Sequence, residues 1–327
     1  MDVRFIDKDG VHVRDSDDVV ELFMHDDGFF WADVPAWDAE IGPFLDGLGC
    51  HPRVIEACQQ RNYVPIVHTY NDHAFVTTQS PLLGAAGHVH LLELDQIIGH
   101  NYLVTVHGPL SPIVDPAQAL LETQSVLRRI ESGRFHPTTP LELSYAITSA
   151  VARRQGALIN TVAEKLPGLE NEVMASQLRE PEALLETMFL IRHELITGRT
   201  MAAQCHDVWA RMAGLGRLVD DDEEHRFARD LADQFERVRS IADGEGLFLS
   251  GVIELYQTKV DTKMTVAMER LAVIAAVTLP ITAIASVYGM NMIVNSHTKY
   301  IELFIVLAVM LAISGLLLRW AHRQGWW

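Results

Sequence analysis

The stretch LAVIAAVTLPITAIASVY, Leu271 to Tyr288, contains no charged side chain, and LFIVLAVMLAISGLLL, Leu303 to Leu318, contains none either. Each run with its flanks approaches the roughly 20 residues needed to cross a bilayer core of about 30 Å. One such run would also suit the core of a soluble protein. Two in tandem, joined by a short polar link containing GMNMIVNSHTK, predict a transmembrane hairpin with spans at about residues 271–290 and 300–319.

Charge divides the chain at the same place. The 327 residues carry 43 acidic and 26 basic side chains, a formal charge of −17, yet Glu302 is the only acid after Arg270. An acidic part therefore precedes an almost uncharged tail. Phosphate backbones require clustered Lys and Arg, so nucleic acid is excluded as a partner, whereas surplus carboxylate favours cations. Cys50, Cys58 and Cys205 are too few and too scattered for a disulfide framework or a zinc site, and are read as reduced residues in a cytosolic compartment. The opening MDVRFIDKDG is charged where a cleaved signal peptide needs apolar residues.

Basic flanks set the expected orientation. Lys259, Lys263 and Arg270 precede the first span and Arg319 and Arg323 follow the second, against Lys299 in the link. Both termini are expected in the cytosol, with Trp320, Trp326 and Trp327 near the inner interface.

The first hundred residues alternate β-rich runs with turns. VRFID-KDG-VHVRD predicts a hairpin around Lys8 to Gly10; FFWADV, IVHTYND, AFVTTQ, HVHLLEL and NYLVTVHG predict further strands; GCHPRVIEACQQRN predicts a short helix with Pro52 near its start. From Asp115 to Asp243 the pattern becomes that of long amphipathic helices. The fold class expected is α+β, mainly helical: a cytosolic α/β domain over 1–114, a long-helix region over 115–244, a stalk helix over 245–270 and the hairpin over 271–327. The acidic run Asp220 to Glu224 reads as a solvated helix start rather than a metal site. The fifteen histidines show no paired-ligand spacing, and no P-loop, dinucleotide fingerprint or nucleophile elbow appears, so no enzyme and no cofactor is expected.

A last long helix is drawn from about Gly246 to Tyr288. Alternating steps of four and three along it collect Glu254, Thr258, Asp261, Thr265, Met268, Ala272, Ala275, Leu279, Thr282 and Ser286 on one face. Small and hydroxyl residues in a membrane helix mark close packing or a water-lined path. The face with Val273, Ile274, Val277, Ile281, Ile284 and Val287 is branched and apolar, as expected against lipid. One hairpin cannot enclose a pore, so a pore-lining role requires several chains about a common axis.

With Pro280 in mid-span, YGMN (Tyr288 to Asn291) at its exit, a short link and one more span, the sequence resembles the CorA family of divalent metal ion transporters. The likeness extends upstream to GCHPRVIEA and IIGHNYLVTVHG and covers essentially the whole chain. The resemblance implies a homopentamer in the plasma or inner membrane that imports Mg²⁺, with Co²⁺ and Ni²⁺ as further ions, down the electrochemical gradient. It implies an external selectivity ring of Tyr288, Gly289, Met290 and Asn291, a pore lined by Thr282 and Leu279, and an apolar constriction at Met268 and Leu271. Two departures stand out. The link lacks the family's M-P-E acid and carries His297 and Lys299, which leaves a Zn²⁺-transporting relative as an alternative. At the positions where the family's regulatory metal is held by an acidic pair, this chain has Ala57 and Asp230, with Glu56 beside the former. A membrane-anchored binding module without transport is the remaining alternative.

Overall fold

A computed structural model describes residues 1–15, 27–84, 87–175, 181–214, 222–292 and 300–323, and these divide into two compact units, Met1–Gly251 and Val252–Trp327.

The first unit is built on a seven-stranded sheet ordered β2-β1-β3-β7-β6-β5-β4. Its strands are β1 (Asp2–Asp7), β2 (Gly10–Arg14), β3 (Gly28–Val34), β4 (Val67–Thr69), β5 (His73–Leu83), β6 (Val89–Gly99) and β7 (Tyr102–His107). All neighbours are antiparallel except β3 and β7. The expected hairpin joins β1 to β2: Asp7 Oδ1 accepts from the amides of Asp9 and Gly10 at 2.8 and 3.1 Å, and Gly10 takes φ 135° there.

Strand alternation sends Phe30, Ala32 and Val34 of β3 to one face and Phe29 and Trp31 to the other, and each face has its own apolar core. On the first face lie α1 (Ile41–Gly47), absent from the sequence reading, and α2 (Pro52–Gln59). His51 caps α2, its Nδ1 accepting from the Arg53 amide at 3.2 Å, and Pro52 supplies the first helical φ without wasting a donor. Just beyond α2, Asn62 is tied to the sheet: its amide N–H and Nδ2 donate to the Glu93 carboxylate at 2.8 and 2.7 Å. Glu93 and Asp95, two apart on β6, share a face, and Thr77 donates to Asp95 at 2.6 Å. Burial, and then the adjacent Glu93 carboxylate, push Asp95 well above the usual carboxylate range.

The other face carries α3 (Leu121–Glu131), α4 (Pro140–Ala163) and α6 (Pro181–Ala213), with α5 (Leu166–Met174) between the last two in sequence. Thr139 caps α4 by accepting from the Glu142 amide at 3.1 Å, while Glu142 reaches back to the Thr138 amide at 2.7 Å. Ala228, Leu231 and Phe235 of α7 (Asp222–Met292) join Trp209 and Met212 in this core.

Helix α7 begins at Asp222, well before the expected start near Gly246. The glycines at 244, 246 and 251 lie inside it. Each costs a helix interior about 1 kcal/mol relative to Ala, a penalty readily carried by long flanking helical runs whose first turns are anchored in the core. The second unit contains the rest of α7 and α8 (Tyr300–Arg323). Mainly helical, with its sheet near the N-terminus, the protein is an α+β fold as expected.

Candidate functional site

Among the described residues two helices, α7 and α8, are long and apolar enough to cross a membrane. Half-buried positions on α7 fall at Val273, Val277, Pro280, Ile281 and Ile284, and those on α8 at Val306, Met310, Ile313, Ser314 and Leu317, followed by the buried Ala321. Both sets follow helical spacing and are mostly apolar. The branched face expected against lipid therefore divides: Val273, Val277, Ile281 and Ile284 are half-buried, whereas Ile274 and Val287 are exposed.

At about 100° per residue, the other stripe points away from this covered side. Glu254, Thr258, Asp261, Thr265, Met268, Ala275, Leu279 and Thr282 are all exposed in the single chain, and so is Leu271 at the stripe's flank. Large apolar groups are among them, Met268 at 59%, Leu271 at 65% and Leu279 at 68%.

The hydroxyls on this stripe have a defined polarity. Thr258 donates to the Glu254 carbonyl at 2.9 Å, Thr265 to the Asp261 carbonyl at 2.9 Å and Thr282 to the Thr278 carbonyl at 2.8 Å. With its proton held by the preceding turn, each hydroxyl oxygen presents lone pairs outward. Such a surface suits water molecules that donate from the shell of a hydrated cation. Pro280, on the half-buried side, has no N–H and leaves the Ala276 carbonyl without its usual helical donor.

Tyr288, Gly289, Met290 and Asn291 form the last turns of α7. The Gly289 Cα has no other group within 4 Å of where a Cβ would stand. The side chains of Tyr288, Met290 and Asn291 lie outside the described residues, as do residues 293–299 with His297 and Lys299, and residues 324–327 with Trp326 and Trp327.

The positions implied as regulatory lie in the first unit. Glu56 is exposed on α2. Asp230 on α7 is half-buried and already engaged, its Oδ2 accepting from Tyr145 Oη at 2.7 Å and Gln234 Nε2 at 2.6 Å. No hydrogen bond or ion pair joins Glu56 to Asp230 among the described residues. Among those residues, no group of three or more His, Cys, Asp or Glu side chains of the single chain is placed to hold a metal. The sequence reading missed Tyr145 and Gln234 as partners of Asp230. The i, i+4 spacing of Asp230 and Gln234 was a usable signal; the link to Tyr145, 85 residues away, had none.

Residues 26–323 match the family model described as CorA-like Mg2+ transporter protein. The chain belongs to the CorA family. It is 24% identical over 314 residues to YfjQ of Bacillus subtilis, covering 92% of this chain and 91% of that protein. To the cobalt/magnesium transport protein CorA of Thermotoga maritima it is 22% identical over 296 residues, 88% of this chain and 78% of that one. The fold matches the complete structure of the CorA magnesium transporter from Methanocaldococcus jannaschii with a TM-score of 0.80 at 16% identity, over 100% of this chain and 99% of that one. As a CorA member, the chain is a membrane-located divalent metal ion transporter and not an enzyme.

Proposed function

We propose that copies of this chain assemble around a common axis, with the exposed stripe of α7 turned inward, to form a channel that admits Mg²⁺ to the cell. The assembly is a homopentamer, and both termini of each chain lie in the cytosol. The observation that carries this reading is the stripe itself: acceptor-bearing hydroxyls and exposed apolar side chains lie on the side of α7 opposite its covered face. A lone membrane anchor needs no such surface.

Mg²⁺ gives up its water reluctantly and demands octahedral oxygen. A ring of Asn291 carboxamides with Tyr288, Gly289 and Met290 at the outer end of α7 hydrogen-bonds to the hydration shell and leaves the ion intact. An amide is a dipole without full charge, so it binds weakly enough to release the ion inward. Ala275, Leu279 and Thr282 line the path below. Met268 and Leu271 close it by dewetting when the assembly narrows. Thr265, Asp261, Thr258 and Glu254 continue the path on the cytosolic side. A divalent ion gains about 4.6 kcal/mol per 100 mV on entering a negative interior, twice the value for a unit charge, so import needs no cofactor.

Asp230 with Glu56 is the proposed internal metal sensor, weakened by Ala57 where the family pattern has an acid. His297 in the link gives Co²⁺, Ni²⁺ and Zn²⁺ a borderline ligand at the mouth, and a Zn²⁺ preference is the second reading. Flux into liposomes, compared for the four ions with and without a membrane potential, separates the two. Replacing Asn291 by Leu abolishes flux with the assembly intact if the carboxamide ring selects; unchanged flux removes that role.

A further inference from the structure

In a chain of formal charge −17, one cleft in the first unit gathers cations with no carboxylate partner. It has a volume of about 250 Å³ and lies between α3, α4 and α7, with Arg129, Arg153, Phe135, Tyr145, Phe227 and Gln234 in its walls. Neither the Arg129 nor the Arg153 guanidinium has an ion pair or hydrogen bond among the described residues. Arg129 instead lies over the Phe135 ring, its guanidinium carbon 5.0 Å from the centroid, a contact that uses none of its N–H donors. The aromatic wall continues with Tyr145 and Phe227, whose centroids are 4.8 Å apart at 34°.

The carboxylate in the cleft wall, Glu142, is engaged with the start of α4: its Oε2 accepts from the Thr138 amide and hydroxyl at 2.7 and 3.0 Å. Asp230 accepts from the wall residues Tyr145 and Gln234, and among the described residues neither carboxylate pairs with Arg129 or Arg153. Each guanidinium carries five N–H donors in a fork matched to oxyanions. The cleft therefore offers unpaired donors beside flat aromatic faces, and its chemistry calls for an anion joined to a flat ring. At about 250 Å³ the cleft falls just below the usual range of ligand pockets, which begins at roughly 300 Å³, so it limits the ligand to mononucleotide size at most.

We propose that this cleft binds a nucleoside monophosphate, with the phosphate held by Arg129 and Arg153 and the base against Phe135 and Phe227. The inference concerns the soluble part alone and does not depend on how ions cross the membrane.

The test is calorimetric titration of the full-length protein in detergent, at low salt, with AMP, adenosine and inorganic phosphate. AMP is expected to bind saturably. Adenosine and phosphate are each expected to bind at least about tenfold more weakly, and R129Q/R153Q to lose AMP affinity by roughly tenfold or more while its elution volume and melting temperature stay unchanged. Should the double variant fold poorly, R153Q alone, altered at an exposed position, is expected to show a partial loss. No saturable heat up to about 1 mM AMP, undiminished binding in the arginine variants, or phosphate binding as tightly as AMP would each overturn the proposal.

Discussion

Tyr145 on α4 donates its phenolic hydrogen to Asp230 on α7 over 2.7 Å, and Gln234, one turn further along α7, donates to the same oxygen at 2.6 Å. The carboxylate implied in metal sensing is thus held within its own subunit by two neutral donors. Burial, then the hydrogen bond to Asp230, raise the Tyr145 phenol above its ordinary range, so it stays a donor at every physiological pH.

Removing that donor frees Asp230 for metal. If Asp230 senses internal Mg²⁺, Tyr145→Phe lowers the internal Mg²⁺ needed to halve flux by about 2- to 10-fold, the equivalent of one hydrogen bond of roughly 0.5–1.5 kcal/mol. Flux from liposomes loaded over a range of Mg²⁺ gives the midpoint, and an unchanged midpoint removes Asp230 from sensing.

Asp95 makes a pH prediction. Its raised pKa means that the native state keeps a proton which the unfolded chain releases above about pH 3.9. Its contribution to stability is complete below that value and is lost as pH rises through the native pKa. Asp95→Asn holds the neutral form at all pH. Its melting temperature is expected to fall less than that of the parent between about pH 4 and pH 8, and parallel curves would contradict a neutral native Asp95.

Leu271 tests the constriction. Leu271→Asn places an amide where an apolar ring is proposed to expel water, so basal flux at closing concentrations of internal Mg²⁺ is expected to rise several-fold. Flux as low as in the parent would locate the closure elsewhere.

Gly99 tests the sheet. A Cβ there would stand 2.2 Å from Cε1 of Tyr102, a buried ring stacked on Phe30 with centroids 5.5 Å apart. Gly99→Ala forces that ring to shift and is expected to cost about 1–3 kcal/mol, read as a lower denaturant midpoint for the soluble part.

Much of this was legible in the linear chain, and the reasons differ by element. Leu271 to Tyr288 and Leu303 to Leu318 announce themselves because hydrocarbon tolerates no charge, a constraint that acts residue by residue. Strands such as Phe29–Val34 and Tyr102–His107 were readable from β-rich composition bounded by turn residues. The start of α7 was not. Gly244 and Gly246 look like a boundary locally, but helix continuity is decided by flanking turns, several of which are locked by Leu231 and Phe235 in a distant core. The stripe from Glu254 to Thr282 could be drawn by counting, whereas the partial covering of Val273, Val277, Ile281 and Ile284 could not.

The sequence by itself determined the two apolar spans, the acidic character of what precedes them, the periodic acceptor-bearing edge and the family. These depend on composition and on spacing within one element, which short-range sterics and solvent preference translate directly into structure. Only the tertiary structure decided that Asp230 is held by Tyr145, that Glu93 and Asp95 are buried together beside Asn62, and that Arg129 and Arg153 share an aromatic cleft without carboxylate partners. Each joins residues far apart in the chain, or depends on burial imposed by such residues, and a hydrogen bond or a desolvated charge acquires its energy only once packing has removed the water between them.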